Sequence, residues 1–214
     1  MSIKLKHSGG NSVSLNPPTS APTSSDVAFK LPTSDGSAGQ VLKTDGSGNL
    51  GFVSTGISSA QQFRLAADQS GTTASDNKLT NWEEVDTAYQ AIGSNWSQSS
   101  GVFSCSATGI YLCMYTFVIS ALSTSEDAYD PSIQISTDSG SNYTTRAKVW
   151  GKVSSNGVQQ NSVTQQFMFD VADTSTFRLI YREGVINGLG TIATIGGSST
   201  ETLTNIMFVR LGDT

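Results

Sequence analysis

The sequence predicts an all-β antiparallel sandwich preceded by an extended N-terminal arm, and three observations carry that prediction. Serine, threonine and glycine dominate, with 21 glycines among 214 residues and only 14% of residues charged. The alanine-, leucine- and charge-rich repeats that build amphipathic helices are missing. From about Gln61 onward, short β-type runs alternate with Gly/Ser/Asn/Asp clusters, which is the spacing of a sandwich.

The arm spans residues 1–58, and the sandwich is expected over 59–214. Met1 to His7 leads into polar sequence and not into an apolar signal core, so synthesis in a cytoplasm without a cleaved leader is expected. Pro17, Pro18 and Pro22 bias the next stretch toward an extended, polyproline-like chain. Leu31 to Phe52 then holds a loose repeat, Thr-Ser-Asp-Gly-Ser followed by Thr-Asp-Gly-Ser. Each Asp-Gly reads as a tight turn, with a tiny strand at Gln40–Lys43 between them. Alone, such a segment is expected to be a flexible linker that orders on a partner.

Strands of the sandwich are expected at roughly 61–67, 80–86, 88–92, 101–105, 110–121, 132–137, 144–153, 160–171, 175–183, 190–195 and 204–211. Asp138-Ser-Gly, Ser155-Asn-Gly157 and Gly196-Gly-Ser supply turns. The run from Gly101 to Ser120 is the most informative. After the turn at Ala107-Thr-Gly109 it is apolar on both alternating faces. Tyr111, Cys113, Tyr115, Phe117 and Ile119 form one face, and Ile110, Leu112, Met114 and Val118 the other. The closing strand, Ile206–Leu211, is likewise two-faced. Such strands need cover twice, once from their own core and once from outside, and another copy of the chain is the expected outer cover. Tyr111, Tyr115, Phe117 and Phe208 are the expected interface, with the opposite faces in the core; the two faces can be exchanged.

Composition and motifs narrow the function. A net charge of −5 argues against nonspecific nucleic-acid binding, and no apolar stretch is long enough for membrane insertion. Metal-ligand spacing, a phosphate-cradling loop and a nucleophile elbow are all missing, so neither an enzyme nor a cofactor is expected. Glu83 and Glu84 alternate across a strand and make a poor catalytic pair. Cys105 and Cys113 are expected as buried free thiols, with a disulfide across the Gly109 turn as the alternative. The acidic loop Ser123–Asp130 has two readings. It is a solvated loop, or Glu126, Asp127, Tyr129 and Asp130 form a calcium or ligand site, with Tyr143 adding to a contact surface. Trp82, Trp96 and Trp150 read as core or interface fillers, with Trp96 expected to be partly exposed. Lys4, Lys6 and His7 make a small basic start that either seats on an acidic groove or is solvated.

Two resemblances sharpen this reading. Gly101-Val-Phe103, then Gly109-Ile-Tyr111-Leu, resembles the Gly-x-Phe…Gly-x-Tyr-x-Phe signature of the complement globular-head and tumour-necrosis-factor jelly rolls. Cys113 stands where that family often has Phe, and Met207–Leu211 suits its last strand. The resemblance covers about 61–213 and implies a ten-stranded jelly roll packed as a homotrimer. In the arm, Leu31 to Leu50, with Ser2–Asn11 and Asn16-Pro-Pro, resembles a segment recurrent in tail-fibre and appendage proteins of bacteriophages. It implies a virion structural protein, made in the host cytoplasm and anchored to a capsid or tail protein through Lys4, Lys6, Leu31, Val41 and Leu42. The head would then be a short fibre that binds a host-surface glycan or protein, or a decoration that clamps the capsid. The alternative is a non-viral secreted trimeric binding module of the complement-head type.

Overall fold

The computed structural model describes residues 3–23, 27–70, 78–86, 90–123, 127–153, 157–186 and 193–214. The chain divides into two compact units, Met1–Gly56 and Ile57–Thr214.

The first unit contains two hairpins where only one short strand is expected. Strand β1 (Ile3–Lys6) pairs antiparallel with β2 (Ser12–Leu15), setting Ile3 opposite Leu15 and Leu5 opposite Val13. Alternation therefore puts these four apolar residues on one face and Lys4, Lys6, Ser12 and Ser14 on the other. Strand β3 (Gln40–Thr44) pairs with β4 (Leu50–Ser54). Asp45 organises their turn, accepting from Ser47 N at 2.8 Å, Asn49 N at 3.1 Å and Asn49 Nδ2 at 2.6 Å. The earlier Asp-Gly does something different. Gly36 lies against the Phe52 ring, where a Cβ would stand 2.6 Å from ring carbons. The backbone itself stacks on the aromatic there, which only glycine permits.

The second unit holds β5 (Ala60–Leu65), β6 (Gln69–Ser70), β7 (Trp82–Glu84), β8 (Trp96–Ser99), β9 (Val102–Cys105), β10 (Gly109–Ser123), β11 (Asp127–Tyr129), β12 (Ser132–Ser136), β13 (Thr144–Lys148), β14 (Gly151–Val153), β15 (Gly157–Val171), β16 (Arg178–Arg182), β17 (Val185–Ile186), β18 (Ala193–Ile195) and β19 (Asn205–Gly212). One sheet is built around β10. Strand β15 runs along one edge of it for the full length of both, Gly109 opposite Val171 through Ser123 opposite Gly157. The other edge is shared by β19, from Ile110 to Thr116, and β18, from Ile119 to Ala121. Beyond β19 lie β5 and then β7, and beyond β18 lies β6. The opposing sheet has the order β13-β12-β16-β9-β8, and a three-stranded sheet has the order β14-β11-β17.

The core lies between the two large sheets. The inward side of the β10 sheet supplies Phe63, Leu65, Tyr111, Cys113, Tyr115, Phe117, Ile119, Ile206 and Phe208. The facing sheet supplies Trp96, Phe103, Cys105, Ile133, Ile135, Leu179 and Tyr181. Full burial of one such side chain contributes about 1.5–3 kcal/mol.

The strands differ locally from expectation. The expected 144–153 strand breaks into β13 and β14, because its partner changes: Thr144–Lys148 pairs with β12, whereas Gly151–Val153 pairs with β11 in the three-stranded sheet. Strand β8 is an addition. It joins β9 through Ser100 (φ 48°) and Gly101 (φ 76°), a two-residue turn with both φ values positive, as a type I′ hairpin requires. Residues 88–89, 155–156 and 190–192, where strand and turn are expected, lie outside the described residues.

Candidate functional site

The four residues expected at an interface are instead the centre of the chain's own core. Tyr111, Tyr115, Phe117 and Phe208 are each 0% exposed. Phe208 stacks on Trp96 at 3.9 Å and 11°, and Tyr111 meets Trp96 edge-on at 5.3 Å. Tyr115 lies edge-on to Tyr181 at 5.1 Å, and Phe117 is 5.7 Å from Tyr129. The Tyr115 hydroxyl donates to Gln165 Oε1 at 2.8 Å, and that of Tyr111 donates to Ala107 O at 3.0 Å. Burial pushes both phenols well above their ordinary range. The correction has a steric reason. Sheets packed face to face stand about 10 Å apart, and aromatic side chains reach across that gap.

The opposite face of the same strands is the outward one. Leu112 lies between Met168 on β15 and Val209 on β19, and Val209 in turn pairs with Ala60 on β5. One residue pair further along, Met114 pairs with Met207. These side chains form an apolar patch across four strands; Leu112, Met114, Met207 and Val209 are half-buried and Met168 is 67% exposed. Beyond it the face turns polar. Thr116 and Thr164 share a hydroxyl hydrogen bond of 2.9 Å, and Gln62 Nε2 donates to Asn205 Oδ1 at 3.3 Å. Along β15 the inward-facing Val163, Phe167 and Phe169 are only partly covered. Between this edge and β12–β13 opens a groove of about 300 Å³, lined by Ile135, Arg146, Phe167, Met168, Phe169 and Asp170.

Part of the acidic stretch is strand and not loop. Asp127–Tyr129 is strand β11, held between β14 and β17. Tyr129 is wholly buried in the core, and Asp130 is buried, its Oδ2 2.5 Å from Lys148 Nζ. Glu126 lies outside the described residues. Tyr143 is half-buried, and burial raises its phenol. Among the described residues, no group of three His, Cys, Asp or Glu side chains could hold a metal ion.

Trp96, expected to be partly exposed, is 3% exposed, while Trp150 is 67% exposed. Cys105 and Cys113 are buried free thiols in opposite sheets, and Cys105 Sγ lies 3.2 Å from Tyr111 Oη. Glu83 and Glu84 take separate partners, Arg64 Nε at 2.7 Å and Gln61 Nε2 at 3.2 Å. In the arm, Lys4 and Lys6 occupy the polar face of the first hairpin, and Leu31, Val41 and Leu42 are exposed.

No protein-family model and no curated protein matches the chain. Among solved structures, it is similar to Eiger TNF from S. frugiperda, with 13% identity over 72% of this chain and 93% of that one and a TM-score of 0.52. Murine APRIL matches at 14% identity over 72% and 98%, with a TM-score of 0.48. At such identity the likeness is one of fold. The chain is an all-β antiparallel sandwich resembling the tumour-necrosis-factor jelly roll.

Proposed function

We propose that this chain is a bacteriophage virion protein, a trimeric short fibre or head decoration. Its first unit anchors to a capsid or tail protein, and its jelly roll is displayed for host-surface attachment or capsid stabilisation. The role is binding and structural, without chemistry. The protein is made in the host cytoplasm and resides in the particle.

One observation carries the assembly: the apolar patch of Leu112, Met114, Met168, Met207 and Val209 on the outward face of the β10 sheet. A contiguous apolar patch on a soluble chain calls for cover. The partly covered edge of β15, with Phe167 and Phe169, is a complementary surface. Edge against face is a head-to-tail contact, which closes into a ring when the rotation per copy is one third of a turn. The fold likeness supports the same homotrimer. The virion assignment draws on the arm, whose Leu31–Leu50 segment resembles phage appendage proteins.

Sedimentation and light scattering at micromolar concentration test the assembly. Wild type is expected as a trimer. Leu112→Asp is expected as a folded monomer with an unchanged far-ultraviolet spectrum, because the outward charge is solvated until a neighbour covers it. Tyr115→Asp buries the same charge in the core and is expected to fail to fold. A monomeric wild type would overturn the trimer. Mass spectrometry of purified particles tests the location. A trimer absent from particles but present in culture medium would favour the secreted-module reading, which the fold likeness alone supports.

A further inference from the structure

We propose that Trp150, with Lys148 beside it, forms a carbohydrate-stacking site on the head. The inference rests on the reading of the head as the displayed part of the molecule. Trp82 and Trp96 are buried, at 5% and 3%, whereas Trp150 leaves 67% of its surface in water. Exposing the largest apolar side chain forfeits the stabilisation its burial would contribute.

The ring sits on a constrained two-residue bridge. On one side Lys148 ends β13, opposite Ser132, and Val149 N donates to Pro131 O at 3.2 Å. On the other side Gly151 begins β14, opposite Tyr129. The Tyr129 phenol fills the space beside Gly151, where a Cβ would stand 2.2 Å from Cζ. Asn161 Nδ2 donates to Lys152 O at 2.9 Å and holds the next residue. Backbone fixed on both sides presents the indole at small ordering cost to a ligand.

Lys148 supplies the polar half of the site. Its Nζ lies 2.5 Å from Asp130 Oδ2 and 5.4 Å from the centre of the Trp150 ring. An ammonium has three donors, and the carboxylate at that position leaves others for a ligand. A flat apolar ring next to a hydrogen-bond donor matches a pyranose, whose C–H face stacks on the indole while its hydroxyls or carboxylate accept from Lys148. The exposed neighbours Lys148 and Lys152 are charged. A lone indole among charges is far smaller than the roughly 800 Å² per partner of a stable protein interface, and it is the size of one sugar ring.

The site also lies at the far end of the head. The chain enters beside β19, where Arg210 N donates to Ser59 O, at the end that holds Gly109 and Gly212. Trp150 borders the sheet of β14, β11 and β17, and β11 follows the other end of β10.

The test uses the full-length chain, titrated with chitohexaose, mannohexaose and oligogalacturonate and applied to an array of bacterial surface polysaccharides. Binding to at least one saccharide is expected, with a change in the water-exposed component of tryptophan fluorescence. Trp150→Ala should weaken binding by about tenfold or more, and Trp150→Tyr should retain it, both with unchanged melting temperature and oligomeric state. Binding to none of these saccharides overturns the proposal, as does undiminished binding by Trp150→Ala. Dissociation of the oligomer in Trp150→Ala also overturns it, since the ring would then belong to the interface between copies. An intact trimer that is found in particles and binds no saccharide leaves the virion reading standing; a monomeric wild type overturns the trimer whatever the saccharide result.

Discussion

Asp138 shows what a single exposed side chain contributes to this fold. It opens the turn after β12, where Ser139 takes a positive φ of 62° and Gly140 one of 90°. The carboxylate accepts from Ser136 Oγ at 2.6 Å, from Asn142 Nδ2 at 2.7 Å and from Asn142 N at 2.9 Å. These bonds hold its pKa down to about 2, with the Ser136 bond the largest cause. A lowered folded pKa means the unfolded chain binds a proton first. The contribution is therefore complete above the ordinary carboxyl range near 4 and is lost as pH falls toward 2. Urea midpoints of wild type and Asp138→Asn should differ by a constant amount above about pH 5 and converge between about pH 4 and 2. A difference that stays constant through that window would show that the charge is not what the turn uses.

At the scale of elements, the β8–β9 hairpin depends on Gly101. Its φ of 76° lies in the left-handed region, and a Cβ there would stand 2.1 Å from Leu79 O. Gly101→Ala should therefore cost at least about 1–3 kcal/mol, read as a lowered melting temperature with oligomeric state retained. No loss of stability would mean that the hairpin and Leu79 move apart freely. The same hairpin marks the limit of what the sequence disclosed. Strands with a long apolar run or a long alternating one are legible: β10 is expected over 110–121 and spans Gly109–Ser123, and β15 is expected over 160–171 and spans Gly157–Val171. Strand β8 reads Trp-Ser-Gln-Ser and has no alternating pattern of its own. It is fixed by tertiary contact, Trp96 stacking on Phe208 and donating from its backbone N to Gln61 Oε1 at 2.7 Å. Facing was the harder question. Both sides of β10 are apolar, so period-two alternation alone leaves the inward side undecided. The usable signal was size, since the aromatic side fills the space between sheets while the Leu112–Met114 side is aliphatic. The acidic loop misled for a related reason. Tyr129 belongs to a strand of three residues, too short for any periodicity, and its burial is decided by Phe117 and Gly151.

The whole molecule joins a self-sufficient unit to a dependent one. Ile57–Thr214 encloses its own aromatic core between two sheets. The described residues of Met1–Gly56 enclose no such core. In its first hairpin Ile3, Leu5, Val13 and Leu15 share one face and are 64% to 71% exposed. In the second, Val41, Leu42, Phe52 and Val53 are 38% to 50% exposed. A lone two-stranded hairpin is at best marginally stable in water, so these faces gain stability only when another surface covers them. Ordering on that surface offsets part of the binding energy and makes the arm separable from the head. Under the proposed virion assembly, a chain beginning at Ile57 is therefore expected to form the same oligomer with the melting temperature of the full-length protein and to fail to join particles. In the free protein, limited proteolysis should remove the arm and stop near residue 56, whereas in intact particles, if the virion proposal holds, the arm should resist cleavage. Normal incorporation of the shortened chain would show that the head makes the attachment, and the exposed faces of the two hairpins would then need a different partner.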